Sequence, residues 1–226
     1  MKIINKENEF SSPAFVMTRI YEDENIQVFD KPAGVNSDDF PKRVHRLDKD
    51  TSGIFIVAKN DKTLEFLQKQ FKERRVKKKY LALAVGHLKN ETGEIETLID
   101  RSPKDRRKQK VYLSLDPKTE SKRTAKTRYK VLQRFENYDL VEAELLTGRK
   151  HQIRTHFAHL GHPIAGDKLY GFKGQISPDN LKRQFLHASY LKIEMPNGRE
   201  REFKSELPQD LKETLNNLAK RDSPSS

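Results

Sequence analysis

The chain has 226 residues, no cysteine, and 45 Lys and Arg against 33 Asp and Glu, for a formal charge of +12. That length supports a sizeable core, the missing cysteine excludes a disulfide framework, thiol catalysis and cysteine-based zinc sites, and the positive balance points to nucleic acid as partner. The opening MKIINKENEF lacks an apolar h-region and no apolar run approaches a membrane span, so no membrane association and a cytoplasmic location are expected.

In chain order, residues 1–20 read as a polar lead-in, 21–221 as one catalytic body and 222–226 as a disordered tail. Ile26 to Phe29 predicts a strand, Lys31-Pro32-Ala33-Gly34 a turn, and Ile54 to Lys59 a buried strand. Leu64, Leu67 and Phe71 then share one face of a helix that runs into the basic stretch Lys72 to Lys79. In the strand Tyr80 to Val85, alternation puts Tyr80 with Ala82 and Ala84, away from Leu81, Leu83 and Val85, which gives the phenol room to project into a site. Residues 100–128 are rich in Lys and Arg with little apolar content and predict a phosphate-contacting flap. Strands near Tyr129 to Leu132 and Asp139 to Leu146 lead to a helix with Ile153, Phe157 and Leu160 as its stripe and Arg154 on its flank. A glycine-bearing loop, strands at Phe185 to Ile193 and Arg201 to Phe203, and a helix with Leu211, Leu215 and Leu218 complete the body.

Three polar clusters carry the candidate chemistry: His45-Arg46-Leu47-Asp48 before Thr51-Ser52-Gly53, then Lys79-Tyr80, then Gly148 to Arg154. Each alone has a structural explanation. Asp48 and Asp50 suit an Asx turn or a cap, and Arg46 and Arg154 suit a charged surface. His151, His156, His159, His162 and His187 raise the question of a metal, but there is no His-Glu-x-x-His. Helical spacing also puts His151 and Arg154 near one face and His156 and His159 on another, so no metal site is expected. No Walker loop, dinucleotide-binding glycine run or serine-nucleophile elbow is present.

As an ordered set, KPAG, HRLDKDTSGIFIVAKN, KKKYLALAVG, LLTGRKHQIRTHFAHLGHPIAGDKLYG and LHASYL resemble the RluA-like RNA pseudouridine synthases. The resemblance runs from about Tyr21 to Phe203. It implies an α+β fold, with a mixed, largely antiparallel sheet flanked by helices and loops and a cleft along one face. It implies uridine isomerisation in structured RNA, ribosomal or transfer, without cofactor or metal. It also assigns the catalytic aspartate to Asp48 over Asp50, the active-site tyrosine to Tyr80 and the aspartate-pairing arginine to Arg154. Arg46 is expected to fill the gap left by a flipped base, and His45, Arg149, Lys150 and His151 to contact RNA. The link from Gly34 to His45 is shorter than is usual in that family, where a longer loop helps hold RNA. A compact, monomeric member acting without an S4-type module is expected. The competing reading is an RNA-binding or chaperone protein that keeps the fold without turnover.

Overall fold

The computed structural model describes residues 9–12, 15–113, 116 and 119–218. The predicted tail 222–226 lies outside them. Where the sequence suggests one body, the chain divides into two compact units, Met1–Lys78 with His187–Pro208, and Lys79–Leu186 with Gln209–Ser226. Among the described residues no helix is long and apolar enough to cross a membrane.

The first unit is a sheet with strand order β1 (Glu9–Ser12), β2 (Phe15–Glu22), β3 (Ile26–Lys31), β4 (Ser52–Ala58), β10 (Leu186–Glu194), β11 (Glu200–Lys204). Its neighbours pair antiparallel except β4 and β10, which run parallel. β2 starts at Phe15 and pairs with β3, so the sheet takes in residues that polarity alone assigns to the lead-in. Their alternation is partly hidden by a register shift between Arg19 and Tyr21. Helix α1 (Asp61–Lys72) is capped by Asn60, whose side chain accepts from the Thr63 N–H, and stops at Arg74, where φ is 62°. Its Leu67 is fully buried in a core with Ile26, Val28, Ile54, Ile56, Leu191 and Phe203, while Leu64 and Phe71 pack at the margin. Of the basic residues after it, Lys77, Lys78 and Lys79 belong to the next strand.

The second unit has strand order β5 (Lys77–Val85), β9 (Tyr138–Leu145), β8 (Arg123–Arg134), β6 (Thr92–Arg101), β7 (Gln109–Tyr112), all antiparallel. Helix α2 (Gln152–His159) lies on one face of this sheet, where Phe157 meets the Tyr129 ring edge-on. Helix α3 (Gln209–Asn216) follows Pro208 and buries Leu211. The opposite face of the sheet is a charge ladder in which Lys126 and Arg128 on β8 bridge Glu94 and Glu96 on β6 and Glu144 on β9. The predicted flap is therefore narrower than 100–128. β8 begins at Arg123, with Ala125 and Thr127 fully buried. Small and hydroxyl side chains on its inner face, in place of bulky apolar ones, conceal the strand period in the sequence.

The two strand-joining motifs meet at Gly53, whose φ is 113° and which pairs with Ala188 of β10. A Cβ there would lie 2.3 Å from the Ala188 carbonyl oxygen. Gly53→Ala is expected to lower unfolding stability by more than about 2 kcal/mol. Gly198→Ala, at φ 77° with nothing within 4 Å, should cost about 1 kcal/mol, the strain of the backbone alone. Chemical denaturation of both variants measures the difference, and equal losses would refute the role of close strand approach.

Candidate active site

In the first unit, the segment before β4 runs alongside that strand: Val44 N–H donates to Ile56 O at 3.0 Å, and Ile56 N–H donates to His45 Nε2 at 3.2 Å. The His45 ring stacks on Phe71 at 5.0 Å and tilts against Phe55. Burial, helped by the nearby Lys78 charge, pushes its pKa down to about 3. His45 is thus a neutral ring that accepts from Ile56 N–H. The Arg46 side chain is exposed and makes no ion pair among the described residues.

Two buried side chains then fix the path around Asp48. Leu47 is buried and clamped at both backbone atoms by Ser37, which donates to Leu47 O at 2.9 Å and accepts from Leu47 N–H at 3.0 Å. Lys31, with no exposed surface, donates to the carbonyls of Pro32, Val35 and Lys49 at 2.9–3.1 Å. An ammonium is tolerated there because three carbonyl dipoles replace its water. The carbonyl of Lys49 also accepts from Gly34 N–H, and Thr51 N–H donates to Asp48 O at 3.0 Å, closing a turn over Asp48–Thr51. Asp48 sits half-buried in this turn, whereas Asp50 is exposed. Beyond it, buried Ser52 is bonded to His187 Nδ1 at 3.0 Å. The short link from Gly34 to His45 is packed, not projecting, with Phe40 and Val44 buried.

In the second unit, Tyr80 faces Ala143 across the β5–β9 ladder. Its face is the more buried one, since Ala82 and Ala84 have no exposed surface and Tyr80 retains only 9%. Its cross-strand neighbour is the small Ala143, but the face is not one spared by the core.

Helix α2 is buried almost throughout because both its sides carry satisfied polar groups. On the sheet side, Gln152 donates to Thr127 Oγ1 and Lys126 O, and accepts from Thr147 Oγ1 and Arg149 N–H. One turn on, His156 bonds Thr127 Oγ1 at 2.9 Å and Thr97 Oγ1 at 3.0 Å. Burial, with a smaller contribution from His159, lowers its pKa to about 4, so the ring is neutral.

Arg154 is buried, not flanking. Its Nε and Nη2 form a bidentate pair with Asp167 at 2.6 and 2.9 Å. Asp167 Oδ1 also accepts from the N–H groups of Leu169 and Tyr170. Burial alone would raise its pKa, but Arg154 and these amides outweigh burial and hold the carboxyl below its ordinary range. Sequence reasoning passed over Asp167, although it lies in the motif GHPIAGDKLYG, where a charged residue inside an otherwise apolar and glycine-rich run is the available signal. Tyr170 lies with its ring centroid 5.1 Å from Arg154 Cζ, and its hydroxyl bonds His151 Nδ1 at 2.9 Å and accepts from Gln109 N–H at 2.6 Å. His151 and Arg154 therefore share Tyr170, as helical spacing predicts, while His156 faces the sheet. Arg149 is half-buried with Nε on Thr124 O, and Lys150 is exposed. His162 bonds Val85 O and His187 bonds Ser52, so the histidines disperse. Among the described residues no group of three or more His, Cys, Asp or Glu is placed to hold a metal.

The flap cations separate into two sets. Arg107 and Lys122 are salt-bridged to Asp105 and Asp100, and Lys126 and Arg128 belong to the charge ladder. Arg101, Lys104, Arg106 and Lys110 are exposed and carry no salt bridge among the described residues.

Comparison with known proteins gives this arrangement a family. A family described as RNA pseudouridylate synthase matches residues 24–159. This chain belongs to the RNA pseudouridylate synthase family. A Chloroflexus aurantiacus protein called an uncharacterized RNA pseudouridine synthase is 44% identical over 182 residues, 80% of this chain and 54% of its own length. A Borreliella burgdorferi protein named ribosomal large subunit pseudouridine synthase D is 36% identical over 90% of this chain and 69% of its own. The chain thus spans little more than half of the Chloroflexus relative. The solved structure titled human RNA pseudouridylate synthase domain containing 1 superposes with a TM-score of 0.78 at 28% identity, covering 93% of this chain and 91% of that one. The predicted α+β class, with its mixed and mostly antiparallel strands, is the fold of this synthase family.

Two predictions follow from the buried polar groups. His156 has a native pKa depressed from 6.5 to about 4, so the unfolded chain binds a proton the folded chain resists. Its contribution is full above pH 6.5 and is lost as pH falls toward 4, by up to about 3 kcal/mol. Unfolding free energies between those limits should fall less steeply for His156→Gln, and an identical slope would contradict this. Asp167→Asn removes the charge opposite Arg154 and should destabilise by about 3 kcal/mol or more, because a buried guanidinium loses its counter-ion. Asp105→Asn, which alters a surface pair, should leave stability close to that of the unaltered chain in the same assay.

Proposed function

We propose that this chain isomerises uridine to pseudouridine in structured RNA, with Asp48 as the essential carboxylate. The observation that carries this reading is the placement of Asp48: half-buried in a turn whose neighbours Leu47 and Lys49 are tied to Ser37 and Lys31. A reacting carboxylate needs a fixed position and access to substrate together, and a pinned turn supplies both. Asp50 lies in the same turn and is exposed.

The reaction breaks N1–C1′, turns the uracil, joins C5 to C1′ and moves the C5 proton to N1, so it balances without redox chemistry or added water. Asp48 acts at the ribose, either by bonding C1′ or by taking a ribose proton. Arg154 is the arginine that the family resemblance pairs with this aspartate, and its Nε and Nη2 are committed to Asp167. Tyr80 stacks on the uracil and assists the late proton transfer.

The uridine must leave its stack, at a cost of a few kcal/mol that backbone contacts offset. Arg46, exposed and without an ion pair among the described residues, is suited to fill the vacated space with its guanidinium plane. Lys150 and the unpaired flap cations suit the phosphates, whereas neutral His45 acts as a support for the turn. Ribosomal RNA is favoured over transfer RNA by the printed name of the Borreliella relative.

Incubation with C5-tritiated ribosomal RNA and transfer RNA, both lacking pseudouridine, should release tritium from the ribosomal substrate. Asp48→Asn should reduce release by about a thousandfold or more, with RNA affinity kept, and Asp50→Asn should remain close to the unaltered chain. Undiminished release by Asp48→Asn would overturn the assignment, and release from transfer RNA alone would overturn the choice of substrate.

A further inference from the structure

The loop that follows Asp167 presents an aromatic side chain that none of the chemistry above uses. Phe172 is 56% exposed. Its backbone is nonetheless fixed: Phe172 N–H donates to Gln175 Oε1 and Gln175 N–H donates to Phe172 O, both at 3.2 Å. The preceding Gly171 N–H donates to Asp167 O at 3.0 Å. A Cβ on Gly171 would lie 2.7 Å from Gln175 Oε1 and 2.8 Å from Asp167 O, so the turn closes only around a glycine. An apolar ring held outward on an ordered turn exposes surface that water solvates poorly, with no packing gain in the folded chain.

Its surroundings indicate what would cover it. Lys173 is adjacent, exposed, and without a salt bridge among the described residues. Two residues upstream, Tyr170 accepts the N–H of Gln109 at 2.6 Å, which ties this loop to the start of β7. Gln109 is flanked there by unneutralised cations, since it pairs across the strands with Arg101 and is followed by Lys110. An exposed ring beside cations that lack counter-ions matches a polyanion that carries flat apolar faces. A duplex hides those faces in its stack, and an acidic peptide has none. Single-stranded nucleic acid offers both.

We propose that Phe172 is a stacking platform for an unpaired base of the RNA substrate, with Lys173, Arg101 and Lys110 on the phosphates beside it. This rests on the reading that the chain acts on RNA, and it narrows the substrate class to RNA in which unpaired nucleotides accompany the target uridine. The ring supplies affinity for any base face and little sequence preference, so it anchors the strand while pairing and backbone shape elsewhere set the target.

The test uses the full chain and a short single strand of alternating adenosine and cytidine, which contains no uridine and so separates binding from turnover. The unaltered chain should bind it more tightly than the same strand annealed to its complement. Phe172→Ala should weaken single-strand affinity by roughly five- to a hundredfold and leave the slope of log K against log salt unchanged. Phe172→Trp should retain affinity. Lys173→Ala should reduce the slope by about 0.7, the value for one lost phosphate contact on a single strand. Equal affinity for Phe172→Ala and the unaltered chain would overturn the platform while leaving the RNA reading in place. Failure of the unaltered chain to bind at all would overturn both, and tritium release, measured separately, reports on the isomerase reading.

Discussion

The ion pair between Arg154 and Asp167 is the constraint from which much of the second unit follows. A guanidinium with so little exposed surface needs a full set of acceptors, and Asp167 supplies two of them in the planar geometry that fits it. Asp167 in turn organises Leu169 and Tyr170 through its Oδ1 and Gly171 through its backbone carbonyl. The pair thereby dictates the shape of the loop after α2, and Tyr170 extends that order to Gln109 on β7. A single buried charge thus makes the helix, a glycine-bearing loop and an edge strand mutually dependent. HQIR and GDKLYG are thus one structural unit in this chain, since the buried charge of each is balanced by the other.

The first unit solves a similar problem with a different group. Lys31 spends its ammonium on carbonyls from both sides of the Asp48 turn, and Ser37 clamps the adjacent Leu47. The motif KPAG is thus a support for HRLD, distant in sequence and adjacent in space. In both units a buried cation bonded within the fold shapes the chain around it: Lys31 the turn that holds Asp48, Arg154 the loop that holds Tyr170. The pins on the turn act on backbone atoms, at Leu47 and Lys49 on either side of Asp48.

How far the sequence reaches depends on what each residue must satisfy. Strands β3, β4, β5 and β9 and helix α1 are legible because apolar period and burial coincide. β8 is not, since Ala125 and Thr127 face the interior without bulk, and β2 is masked by its register shift. The dispersal of the histidines is legible from helical spacing alone, because faces of α2 are set by local geometry. The roles of His45 and Arg154 were less so. A histidine and an arginine in a motif full of charge read as RNA contacts or surface residues, and only tertiary packing turns the first into a neutral acceptor for Ile56 N–H and buries the second on Asp167. Partners of buried polar groups lie far away in the sequence, where no periodicity points to them.

The same distinction changes what the net charge of +12 means. Charge balance alone treats every lysine and arginine in 100–128 as available to phosphate. Lys126 and Arg128 are instead neutralised across the strands by Glu94, Glu96 and Glu144, and their field is that of a salt-bridged surface. A protein cation displaces the counter-ions condensed on a nucleic acid most readily when it lacks a protein partner, because a paired cation must first give up its carboxylate. The outer face of the second sheet therefore adds solubility and little RNA affinity. The field that draws in a polyanion comes from the flap ends and the loop beside Tyr170, where Arg101, Lys104, Arg106 and Lys110 have no carboxylate to answer. Among the described residues, these cations without a salt bridge lie at the ends of β6 and β7 and between them, while the paired Lys126 and Arg128 lie on the sheet. Added salt screens the first set far more than the buried pairs of the second unit.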